Sequence, residues 1–181
     1  MATPPDFTTG QVLTAAQMNA VGMWLVKSDS VTGANPTITG AFSSDFVAYK
    51  IIFTELSCST TTNFYLRMGT TAGSNYYWAG SNREWASATV GGGQGNGVSQ
   101  WATGIVGDTV KSNGFVELQS PQLAQPTTFS CSGGDTRTNG AGAVAYSGYL
   151  NNTTQYTSFS LLCDGAATIT SCNIRVYGYN Y

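Results

Sequence analysis

The sequence predicts an all-β protein, an antiparallel jelly-roll-like β-sandwich preceded by a short helix-containing segment. Three observations carry this expectation. Apolar and polar residues alternate over many short runs, Gly, Asn and Pro punctuate the gaps between them, and the long interleaved helices of a βαβ sheet are missing. The composition agrees, with 41% hydrophobic and 12% aromatic residues beside 18 Ser, 25 Thr and 22 Gly. That is enough apolar material for a core, with hydroxyls and amides left to meet solvent. The length of 181 residues fits one such sandwich.

The first element is the helix. Thr14 at the N-cap and Gln17 three residues later form a capping box, and Leu13 and Met18 occupy the two positions of a hydrophobic staple. Gly22 ends the helix after about two turns, and Pro4-Pro5 keeps the entering chain extended. So short a helix is marginal alone in water and needs something to dock on. Residues 1–22 are therefore read as an attachment segment and residues 23–181 as the sandwich.

Strands follow. The clearest are Phe46–Leu56, Asn63–Met68, Asn113–Gln119, Val144–Leu150, Thr157–Cys163 and Ala167–Tyr179. In the last, Ile174, Val176 and Gly178 alternate with Arg175, Tyr177 and Tyr179, which gives one covered face and one polar-aromatic face. Shorter runs at Trp24–Ser28, Tyr76–Ala79, Gln100–Ile105 and Thr127–Cys131 complete the set. The stretch Gly91–Gly97 reads as a flexible hairpin tip. It is no phosphate-binding loop, because neither a Lys-Ser/Thr pair nor a helix pattern follows it. Asn151-Asn152-Thr153-Thr154 reads as a polar turn.

Charge narrows the function. Charged residues are 9% of the chain, against roughly 25% in an average protein. Seven scattered Lys and Arg at a net charge of −2 do not make a phosphate-neutralising surface, so nucleic acid is not an expected partner. No apolar stretch is long enough to span a membrane, and the N-terminus lacks the pattern of a signal peptide, so folding in a cytoplasm is expected. The chain has no histidine, which removes the commonest general base and metal ligand. No G-x-S-x-G or S-x-x-K motif occurs, and the nine carboxylates show no pairing in their spacing. A non-enzymatic protein with no catalytic residues, metal or cofactor is expected, with carboxylate-based depolymerisation the alternative if those groups converge in the fold. Cys58, Cys131, Cys163 and Cys172 form no C-x-x-C pair. Buried free thiols are expected, with Cys163–Cys172 as a bridge that would tie adjacent strands.

Carbohydrate recognition fits the inventory better. Sugar rings present C–H faces to aromatic side chains, and their hydroxyls pair with amides and hydroxyls. Tyr77, Trp78, Trp85 and Trp101 flank the glycine-rich stretch beside polar neighbours and are the candidate ligand-binding residues. Alternation along a strand turns at least one of them into the core. A second candidate surface is Arg175, Tyr177 and Tyr179, residue types enriched where subunits meet.

The two ends carry a family resemblance. Phe7-Thr8-Thr9-Gly10-Gln11-Val12-Leu13-Thr14-Ala15-Ala16-Gln17-Met18-Asn19 resembles the N-terminal segment of bacteriophage tail-fibre and related virion appendage proteins. The closing Ile174-Arg175-Val176-Tyr177-Gly178-Tyr179 is similar to the last strand of their small β-sandwich domains. The resemblance implies location in a virion, attachment to other virion proteins through Phe7, Val12, Leu13 and Met18, and assembly as a homotrimer. It also implies an outward-facing sandwich that binds a host-surface glycan or protein. The chain has no shaft between its attachment segment and its sandwich, unlike a long fibre. A capsid or tail decoration protein that joins and stabilises the particle is the alternative.

Overall fold

The described chain is built on twelve strands in two antiparallel sheets. In the computed structural model the described residues are Gly10, 22–70, 72–84, 89–134 and 141–180. The expected helix, the attachment residues Phe7, Val12, Leu13 and Met18, and Trp85 lie outside them. Among the described residues there is no helix, and hence none long and apolar enough to cross a membrane.

In chain order the strands are β1 (Trp24–Ser30), β2 (Thr37–Ile38), β3 (Ala48–Cys58), β4 (Thr62–Met68), β5 (Tyr76–Glu84) and β6 (Val90–Val98). They continue with β7 (Trp101–Gly107), β8 (Ser112–Gln119), β9 (Thr127–Gly134), β10 (Ala141–Leu150), β11 (Phe159–Cys163) and β12 (Ile169–Tyr179). One sheet runs β1-β12-β3-β8-β9-β10-β5-β6 and the other β2-β11-β4-β7. Eight of these strands, placed as β1-β12-β3-β8 against β2-β11-β4-β7, have the winding order of a jelly roll. The pairs β5-β6 and β9-β10 are additional, and both extend the first sheet beyond β8.

Alternation explains the core. On β3, Tyr49, Ile51 and Phe53 are fully buried while Lys50 and Ile52 face outward, and on β12 Ile174 and Val176 are buried between exposed or half-buried neighbours. The smaller sheet answers with Phe64, Leu66 and Met68 from β4 and Phe159 and Leu161 from β11. Phe53 meets Phe64 edge to face across the interior, with centroids 5.6 Å apart. A bulge interrupts β3 after Phe53, and Glu55 there adopts φ 57°, its amide donating to Asn113 Oδ1 at 3.1 Å.

The expected hairpin tip at Gly91–Gly97 is instead strand β6, paired with β5 from Tyr76↔Val98 to Arg83↔Val90. Two of its glycines, Gly93 and Gly95, are explained by Trp78 on β5, whose indole lies across them. A Cβ on Gly95 would overlap the indole Nε1 and come within 2.6 Å of Cε2, and one on Gly93 would come within 3.3 Å of Cζ3. Glycine is thus the side chain that Trp78 leaves room for.

A candidate ligand-binding groove on the outer face

The groove lies on the outer face of the larger sheet, over β10, β5 and β6. Strand register places Tyr149 of β10 opposite Tyr77 of β5, and Tyr77 opposite Asn96 of β6. One step along, Ser147, Ala79 and Gln94 form the next row. The two tyrosine rings stack with centroids 4.9 Å apart and planes 7° from parallel. They wall a shallow groove of about 410 Å³ whose lining includes Ala79, Gln94, Asn96 and Ser147. Tyr149 is 42% exposed, so its ring presents a face and a hydroxyl to solvent.

The core beneath holds this wall in place. Trp101 is fully buried, lies parallel to Phe129 at 4.6 Å and meets Tyr76 edge to face at 5.1 Å. Its indole Nε1 donates to the backbone carbonyl of Tyr149 at 3.3 Å, which fixes the platform residue from below. Trp101 is therefore a core residue, and the expectation that it meets a ligand is corrected. Inward parity on β7, in the smaller sheet, put it there.

Trp78 is adjacent to Tyr77 in sequence and so projects from the opposite face of the sheet. There its indole packs against Tyr146, with centroids 5.7 Å apart, and stiffens the floor under the groove. Gly80 and Gly104 accommodate Tyr146, since a Cβ on either would overlap its ring. Burial raises the Tyr146 phenol above its ordinary pKa, with a smaller push from Cys131. Of the three described ligand-binding candidates, Tyr77 and Trp78 line the groove and Trp101 does not. Tyr149 was not among them. The alternation of Val144, Tyr146 and Leu150 with Ala145, Ser147 and Tyr149 already marks its outward parity, but its pairing with Tyr77 spans 72 residues and leaves no local signal.

Arg175, Tyr177 and Tyr179 lie on the same outer face, toward the other edge of the sheet. One register row crosses all eight strands as Leu25, Tyr177, Lys50, Glu117, Ser130, Ser147, Ala79 and Gln94. Its character changes on the way, from apolar and charged to hydroxyl and amide. Lys50 pairs with Glu117 at 3.1 Å and sits 4.1 Å over the Phe115 ring. Five strand spacings separate β12 from β5, about 24 Å at about 4.8 Å each. The two candidate surfaces are thus distinct.

The lining of the groove is aromatic, amide and hydroxyl, suited to stacking and to accepting and donating hydrogen bonds. Among the described residues no group of three or more His, Cys, Asp or Glu side chains is placed to hold a metal ion. Comparison of the chain with protein-family models, curated proteins and solved structures gives no match.

Proposed function

We propose that the chain is a non-enzymatic bacteriophage virion protein, a short tail-fibre-like appendage whose sandwich binds a host-surface glycan. The observation that carries the recognition half is the Tyr77–Tyr149 stack beside Gln94, Asn96 and Ser147. An exposed aromatic face rimmed by neutral hydrogen-bonding groups matches a saccharide, which offers C–H faces and hydroxyls and no charge. The virion half rests on the N-terminal string from Phe7 to Asn19, with attachment through that segment and assembly as a homotrimer.

Glycan arrays and competition with phage adsorption test recognition. Tyr149→Ala should weaken saccharide binding by about tenfold, the equivalent of about 1.4 kcal/mol, without lowering the melting temperature by more than a few degrees. Wild-type protein that binds neither glycans nor host cells would sink the recognition half.

A second reading, a decoration or joining protein, is favoured by one observation. Met23, just before edge strand β1, and Trp24 and Leu25, which open it, are 53%, 36% and 56% exposed. Such a patch suits a neighbouring virion subunit. Imaging of labelled particles separates the two readings by location.

A further inference from the structure

We propose that Cys58 and Cys163 form a redox-gated cross-link that closes on contact with a small-molecule disulfide and joins the two sheets covalently. In the reduced protein their sulfurs are 3.6 Å apart, against about 2.05 Å in a bond. Cys58 ends β3 in the larger sheet and Cys163 ends β11 in the smaller, 105 residues later. Both strands lead into connections that cross between the sheets at the same end of the sandwich.

That end is already held together by hydrogen bonds. The Asp164 amide donates to Thr62 Oγ1 at 2.9 Å, Asn63 Nδ2 donates to Asp164 Oδ2 at 2.7 Å, and the Ser59 amide donates to the Thr168 carbonyl at 2.9 Å. Gly107 leaves space beside Cys58, because a Cβ there would overlap the Cys58 sulfur. The thiols therefore meet in a fixed frame, and bond formation asks the sulfurs to close from 3.6 Å to about 2.05 Å.

The two cysteines take different roles. Cys163 is half-buried and open to a reagent, whereas Cys58 is 1% exposed. The hydrogen bond between them, and then burial, raises the Cys58 thiol above its ordinary pKa. The same hydrogen bond lowers Cys163 against the opposing effect of its burial. Cys163 is thus the attacking thiolate. Its sulfur attacks one sulfur of the reagent, breaking the reagent S–S bond and expelling a thiolate. Cys58 then gives up its proton and attacks the Cys163 sulfur of the mixed disulfide, expelling the second thiolate. Both cysteines are oxidised, and the reagent leaves as two thiols carrying the two electrons and two protons.

Equilibration of the purified full chain with oxidised glutathione, followed by peptide mapping without reduction, tests this. The expected result is one linkage, Cys58 to Cys163, with Cys131 and Cys172 still titrating as thiols, and a melting temperature raised by about 5–10 °C. Cys172→Ala should retain the linkage and Cys163→Ser should lose it. Four free thiols after equilibration, a glutathione adduct at Cys163 that never resolves, or a Cys163–Cys172 bridge would each overturn it. Mapping of the wild-type chain decides the matter even if a variant does not fold.

Discussion

Replacing Gly148 with alanine should part the two strands that carry the groove. Gly148 lies on β10 opposite Trp78 of β5. A Cβ there would overlap the Tyr77 carbonyl oxygen and come within 2.8 Å of the Trp78 Cα. Both obstacles are backbone, so no side chain can swing away and β5 itself must move. Overpacking typically costs roughly 1–3 kcal/mol, and a backbone obstacle places this case near about 3 kcal/mol. The smaller conformational freedom of alanine in the unfolded chain offsets about 0.4–1 kcal/mol of that. A net loss of about 2 kcal/mol corresponds to a fall of about 4–8 °C in melting temperature for a chain of this size. Circular dichroism melts of wild type, Gly148→Ala and Gly73→Ala measure it. Gly73 is the control, since the nearest atom to its added Cβ is 3.7 Å away. Equal melting temperatures for Gly148→Ala and wild type would refute the reasoning.

Other substitutions read other parts of the same construction. Gly95→Ala displaces the Trp78 indole, so its emission should shift to the red, with a stability loss of about 1–2 kcal/mol in urea titration. Trp101→Ala should cost about 3–5 kcal/mol by the same titration, because it empties the site between Phe129 and Tyr76 and frees the Tyr149 carbonyl. Burial raises the Cys131 thiol from 9.0 to about 12. Its folded pKa lies above its unfolded one, so this contribution is complete below pH 9 and is lost as pH rises toward 12. Stability against pH over that range should fall by about 1.4 kcal/mol per unit less steeply in Cys131→Ala than in wild type.

Local pattern revealed most of the strands and little of the groove. β3 and β12 were legible because one buried face imposes period 2 on the sequence, as Ile51, Phe53, Ile174 and Val176 illustrate. β6 was hidden because glycine carries no hydropathy, and its inner face is supplied by Trp78 from the neighbouring strand. The two-residue β2 is too short for a period. Trp101 and Tyr77 are both aromatic residues in strands, and only the partner sheet determines which is covered. The four cysteines are free thiols as expected, but the contact of Cys163 with Cys58 of β3 spans 105 residues and leaves no local signal.

The position of the groove separates two demands that usually compete for the same residues. Tyr77, Gln94, Asn96, Ser147 and Tyr149 all belong to β5, β6 and β10, which are extra to the eight strands of the roll. Their outward side chains take no part in sealing the interior. Under the proposed function, exchange of Gln94, Asn96 and Ser147 would alter ligand preference one substitution at a time while the hydrophobic interior stays unchanged. The domain is accordingly a ready scaffold for selection experiments in which only these outward positions are randomised.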